Sequence, residues 1–219
     1  MEYELASKFF IVSFPTFIII LCSYTLWLIN RRYRKNILKK IFSLMLFSFI
    51  LYSSVNLVRF FHREAFLFWA RIVVSFNSFF MILYLLLSYG IYRGGEINKK
   101  HFSFFLIPVV LTIITWQPNS LTLADSNYVP SLYLHLPYFA TGIFVCFSTP
   151  VLFYLSYKKY RGVSNKLKYF FYASLIPVLS FPLFTTISFV GKMKIEYTIF
   201  QIYVFSITIL LMIYGYLKR

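Results

Sequence analysis

Seven apolar runs alternate with short polar segments along this chain, at residues 9–29, 41–58, 66–92, 102–116, 134–157, 169–190 and 195–217. A helix needs about twenty such residues to cross the hydrocarbon core of a bilayer. The first run has 21 residues and would be roughly 31 Å long as a helix. The fourth is the weakest, with roughly 22 Å of helix, and is expected to tilt little or to thin the bilayer around it. The pattern predicts an all-α fold in one domain over residues 1–219, a polytopic membrane bundle of seven transmembrane helices. Prolines fall inside several runs, at Pro15, Pro108, Pro150, Pro177 and Pro182. Membrane helices tolerate them where neighbours satisfy the freed carbonyls. Kinks are therefore expected near Pro150 and across Pro177 to Pro182, as packing shape or as a hinge.

Composition supports that reading. The chain has 219 residues, 60% hydrophobic and 23% aromatic, with only 13% charged. A soluble domain of this length needs far more polar surface. A net charge of +16 in a soluble protein would suggest nucleic acid. Here the cations sit in clusters between apolar runs, as in "RRYRKNILKK" at 31–40, which is the pattern of membrane loops and not of a nucleic-acid surface. Cys22 and Cys146 both lie inside apolar runs without a paired neighbour, and are expected to be small buried hydrophobes. The opening "MEYELASKFF" begins acidic, unlike a secretory signal.

Charge sets the expected orientation. Loops 31–40, 93–101 and 158–168 with residues 218–219 hold sixteen Lys and Arg, whereas the N-terminus and loops 59–71, 117–133 and 191–194 hold six. The positive-inside rule then predicts an outer N-terminus and a cytoplasmic C-terminus, in a multi-pass protein of the cell membrane. Five of the six acids, Glu2, Glu4, Glu64, Asp125 and Glu196, fall on the outer side, and Glu96 on the inner. Basic loops of this kind also attract anionic headgroups. Trp69, Trp116, Tyr133 and Tyr138 are expected near the outer interface, and Trp27, Tyr33, Tyr92, Tyr157 and Tyr169 near the inner one.

No Asp or Glu lies mid-run, so the intramembrane carboxylate usual in proton pumps and cation-coupled carriers is missing. The seventh run has no lysine for a retinal Schiff base and no Asn-Pro pair, and the third ends "LSYGIYRGG" without an acidic-Arg pair. His62, His101 and His135 are scattered. No acid, base and nucleophile converge, so the chain is not expected to be an enzyme, and no metal or cofactor is implied.

The polar residues that remain cluster on the outer side. "LVRFFHREAFLFWARIVVSFN" brings Arg59, His62, Arg63, Glu64, Trp69, Arg71 and Asn77 together. Glu64 and Arg71, seven apart, share a helix face if the helix starts that early. They form an ion pair there, or Arg71 lines a pocket for an anionic or polar ligand. Asn77, Tyr84 and Ser88 make a polar stripe on the third run, expected to hydrogen-bond neighbouring helices. The segment "QPNSLTLADSNYVPSLYLHLPYF" is either a lid or a passive linker. Arg59, Trp69, Arg71, Asn77 and His135 are the candidate ligand-binding residues.

Three segments carry a resemblance: "FLFWARIVVSF", "YVPSLYLHLPYFATGIF" and "KYFFYASLIPVLSFPLFTTISFVG". With them the chain resembles the seven-transmembrane sensor region found at the N-terminus of some bacterial and archaeal histidine kinases. The resemblance points to Trp69, Arg71, Pro130 and His135 as family-pattern positions. "WQPNSLTL" departs from it, with Asn119 and Ser120 where the family often has a histidine. Signalling domains follow the last helix in that family, but this chain ends "GYLKR". It is therefore expected to signal through a separate partner such as a histidine kinase, to serve another purpose, or to be a piece of a longer product. Two other classes stay open: a small-solute transporter of three-plus-one-plus-three helices, and a non-catalytic assembly subunit.

Overall fold

The computed structural model describes the backbone of residues 2–32, 36–61, 65–124, 127–161, 166–190 and 195–217, and the side chains among these outside 2–11, 32, 60, 99, 123–124, 127–129, 181–190 and 195–202. Every apolar run is helical. Helices α1 (Glu2–Arg32), α2 (Ile37–Phe61), α3 (Phe66–Tyr92) and α5 (Leu132–Lys159) cover the first, second, third and fifth runs. Helices α4 (Leu106–Thr115), α6 (Leu167–Val190) and α7 (Ile195–Leu217) cover the others. Among the described residues, four helices are long and apolar enough to cross a membrane, within α1, α2, α3 and α5; shorter apolar stretches lie in the remaining three.

Helix α3 occupies the centre, packed by α2, α4 and α5. Its residues Phe80 to Ser88 are buried without interruption, which is why "FMILYLLLS" is apolar on every face. Peripheral helices turn large apolar side chains outward instead, among them Phe17, Ile20, Phe47, Ile113, Phe144 and Leu179. Such a belt suits contact with lipid chains and not with water. Against lipid there is little hydrophobic drive between helices, so close packing carries the association. A chain of rings does this here. Tyr216 stacks on Phe42 at 4.8 Å, Phe42 meets Phe170 at 6.3 Å, and Phe170 meets Phe153 at 5.6 Å. Phe153 continues to Tyr84 at 5.9 Å, and Phe80 joins Phe49 and Phe205 at 5.5 and 5.6 Å. The chain thus links α2, α3, α5, α6 and α7.

Buried hydroxyls are mostly satisfied within their own helix. Thr25, Ser78, Thr115, Thr149, Ser156 and Thr208 each donate to the carbonyl four residues back, at 2.7–3.1 Å. That back-bonding lets a polar residue sit among apolar neighbours without a partner on another helix.

The ends of the bundle differ. At what we term the basic end, Asn36 caps α2: its side-chain oxygen accepts from the Lys39 amide at 2.7 Å. The Lys39 ammonium is buried and reaches back to donate to the Asn30 carbonyl of α1 at 3.3 Å. Of the expected 31–40 loop, residues 31–32 thus close α1 and residues 37–40 begin α2, with Lys39 tying the two helices. Other cations at this end lie over rings: Arg31 over Trp27 at 5.3 Å, Lys159 over Tyr92 at 5.6 Å and Lys168 over Tyr169 at 5.3 Å. Helix α3 stops in a turn where Gly94 and Gly95 take φ of 68° and 96°. Gly95 donates to the Gly90 carbonyl at 2.8 Å and Gly94 to Ile91 at 3.0 Å, a Schellman closure that needs a residue free to adopt the left-handed region.

The fourth run corrects the expectation of one short helix over 102–116. It is a 3-10 helix, Lys99–Phe105, followed by α4. Pro108 supplies the reason: without an amide hydrogen, and with its ring against the carbonyl of residue 104, it disfavours α geometry just upstream. A 3-10 helix rises about 2.0 Å per residue against 1.5 Å in an α-helix, so the two pieces together span about 29 Å. The apolar part of the run, Lys100–Thr115, remains shorter than the four long apolar helices.

Residues 117–131 form the opposite, hairpin end. The segment read as lid or linker holds two antiparallel strands, β1 (Leu121–Ala124) and β2 (Asn127–Pro130), in the register Leu121 to Pro130. Leu121 is buried with Phe66, Ala70 and Leu134, so the hairpin is seated on α3 and α5. Ser131 donates its amide to the Ser120 carbonyl at 2.8 Å and Tyr133 its hydroxyl to the Pro118 carbonyl at 2.8 Å.

Candidate functional site

Helix α3 begins at Phe66, so Trp69 and Arg71 lie in its first two turns and Arg59 in the last turn of α2. The run expected over 66–92 is helical over those same bounds, whereas Arg59, counted with the 59–71 loop, lies on α2, which continues to Phe61. The Arg59 side chain is only 2% exposed, with its guanidinium 5.2 Å from the Phe66 ring centroid. The ring face offers the guanidinium a negative quadrupole.

Arg71 lies on the other flank of α3, its guanidinium 5.9 Å from the Trp116 ring at the end of α4. Phe68, three residues earlier and hence on the same face, meets Trp116 edge-on at 5.7 Å and Trp69 edge-on at 5.2 Å. Arg71, Trp116, Phe68 and Trp69 therefore make one cation–aromatic cluster where α3 and α4 meet under the hairpin. Two donors in it stand out. The Arg71 Nε and the Trp69 Nε1 are both buried with no hydrogen-bond acceptor among the described residues. Buried donors of this kind are costly unless something accepts from them. The expected Glu64–Arg71 ion pair lies outside the described residues, as do His62 and Arg63.

Asn77 sits deeper. It is buried, and its side-chain amide donates to the Tyr138 hydroxyl of α5. This is the interhelical bond expected of the third run's polar stripe, and Tyr84 and Ser88 of that stripe are buried with it. The structure gives Asn77 a helix-joining role and not one in the Arg71 cluster. His135 stands in the first turn of α5, where its amide donates to the Ser131 carbonyl at 2.8 Å and its ring stacks on Phe139 at 6.0 Å. Of the five expected residues, then, Trp69 and Arg71 are linked only through Phe68 and Trp116, Arg59 lies against Phe66, Asn77 bonds to Tyr138 of α5, and His135 stacks within its own helix. Phe68, Phe66 and Tyr138 complete these contacts. Phe68 was legible as the residue one turn before Arg71, whereas Tyr138 required knowing that α3 packs on α5.

Loss of the Tyr138 hydroxyl by Tyr138→Phe is expected to cost about 0.6–2 kcal/mol, read as a lower unfolding midpoint in detergent. In an Asn77→Leu background the same change should cost much less, since both polar partners are then gone. Equal costs in both backgrounds would deny the pairing.

Among the described residues no three His, Cys, Asp or Glu groups lie together in a way that holds a metal ion. Cys22 and Cys146 are buried free thiols. No protein-family model, no curated protein and no solved structure matches this chain.

Proposed function

We propose that the chain is a seven-span protein of the cell membrane, hairpin end outside and basic end in the cytoplasm, that works as a receptor-like sensor. The single observation behind this reading is the Arg71–Trp116–Phe68–Trp69 cluster, whose Arg71 Nε and Trp69 Nε1 are buried without acceptors. A small anionic ligand, a carboxylate above all, supplies an acceptor for the Arg71 guanidinium. The cluster spans the ends of α3 and α4 and adjoins the hairpin seated on α5, so a ligand there couples to three elements at once. It shifts the packing only by its differential affinity for two arrangements. The cation-rich basic end is the surface from which a separate signalling partner, such as a histidine kinase, would read the change. The resemblance to kinase sensor regions and the positive-inside asymmetry support the same assignment.

The test uses tryptophan emission. The chain has three tryptophans, and Trp27 lies at the basic end, far from the cluster. A Trp27→Phe protein in mild detergent therefore reports Trp69 and Trp116. Titration with a panel of small carboxylates and phosphates is expected to give a saturable emission change with at least one of them, lost in Arg71→Gln. No saturable change with any of the panel, or the same change in Arg71→Gln, overturns the reading.

A further inference from the structure

A second feature lies toward the opposite end of the bundle. Between α3, the 3-10 helix and α5 runs an open groove of about 660 Å³, walled by Tyr89, His101, Phe104, Phe147, Ser148 and Val151 among others. Its volume falls in the roughly 300–1,000 Å³ range of small-molecule sites, and its walls are almost wholly apolar. The α5 wall belongs to a face left without a helix partner: Phe144, Phe147 and Val151 are each more than half exposed. The groove exists because α4 is only ten residues long and the tighter 3-10 helix replaces its first turns beside α3.

Chemistry is concentrated at the basic mouth. The His101 ring lies 4.8 Å from Tyr89, and the Asn98 amide donates to His101 Nδ1 at 3.0 Å. The Asn98 carbonyl also lies 3.2 Å from Nδ1, so the Asn98 backbone engages that nitrogen in either tautomer. Lys100 beside it is exposed. Lys159, seven residues beyond Leu152 of the groove and so on the same helix face, lies over Tyr92. Glu96 is the one acid in the turn 93–101. An apolar slot with a cationic, donor-bearing mouth matches one molecule available in a bilayer, an anionic phospholipid: acyl chain in the slot, headgroup at the mouth. A neutral lipid fits the slot equally but gains nothing from the lysines.

We infer that this groove holds one acyl chain of an anionic phospholipid, whose headgroup is bound by His101, Lys100 and Lys159. The inference rests on the membrane placement proposed above but not on the ligand cluster at the hairpin end. Burial of each methylene and headgroup pairing both favour the complex.

The experiment purifies the full chain in mixed micelles holding equal amounts of phosphatidylglycerol and phosphatidylcholine, and measures retained lipid by native mass spectrometry. The expected result is one retained phosphatidylglycerol per chain, favoured about tenfold over phosphatidylcholine. Ser148→Trp and Val151→Trp, which fill the slot, should each lower retention about tenfold. Val151→Trp guards against misfolding, since its site is open, and Leu179→Trp on the exposed face of α6 is the control that should retain as the parent does. A Lys100→Gln/Lys159→Gln protein should keep a lipid but lose the preference for the anionic one. Equal retention of both lipids by the parent, or undiminished retention in both groove-filling variants, overturns the inference alone. A chain that fails to co-float with vesicles overturns the membrane placement, and this inference with it.

Discussion

Replacing Phe42 with alanine is expected to destabilise the bundle by about 3–5 kcal/mol. Phe42 is fully buried, and its ring stacks on Tyr216 of α7 and meets Phe170 of α6. Truncation leaves a cavity walled by aromatic rings held on two other helices, so the site has little freedom to collapse. Lipid is no substitute, because the void does not open to the surface of the bundle. Phe42→Leu retains most of the volume and should cost less than about 1.5 kcal/mol. The two are compared by unfolding midpoints in a fixed detergent under increasing SDS. An alanine variant no weaker than the leucine variant would show that the ring is not locked between α6 and α7.

Gly215→Leu is expected to cost about 1–3 kcal/mol, by overpacking. A side chain built at Gly215 begins 2.9 Å from the Cβ of Tyr169 and 3.2 Å from the Lys166 carbonyl oxygen. Neither can rotate away, since one is the root of a side chain and the other is backbone. Helices α6 and α7 must therefore separate where they meet. Gly90 is a useful contrast. A Cβ there meets the tips of Ile97 and Leu38 at 2.6 Å, and such tips can turn aside. Gly90→Ala should thus be far milder than Gly215→Leu by the same measurement, and the reverse order would refute the packing described at the α6–α7 crossing.

Much of the architecture was readable because long apolar runs favour helices. Among the described residues seven α-helices overlie the seven runs, with bounds within four residues except at the start of α1, which begins seven residues early. Three things were not legible. The 3-10 geometry before Pro108 depends on one ring against one carbonyl, which the apolar pattern does not encode. Arg59 read as a loop cation because charge dominates such counting, whereas its guanidinium is carried into the bundle on the last turn of α2 and covered by Phe66. The hairpin escaped notice because "LTLADSNYVP" is short and joins two helices, where turn-forming residues read as simple loop. At the candidate site, Trp69 and Arg71 were found together by sequence proximity. Trp116 joins them only through the meeting of α3 and α4, and Asn77 leaves the group because Tyr138 claims its amide.

The 3-10 stretch gives one wall of the bundle an adjustable length. Had Lys99–Phe105 been wound as an ordinary α-helix, the same seven residues would be about 3.5 Å shorter. Helix α3 has no such reserve, being regular from Phe66 to Tyr92. Rewinding would slide His101 along α3, away from the Tyr89 ring it now faces at 4.8 Å. On the membrane placement proposed above, a change in bilayer thickness would act on this element by trading rise for turns.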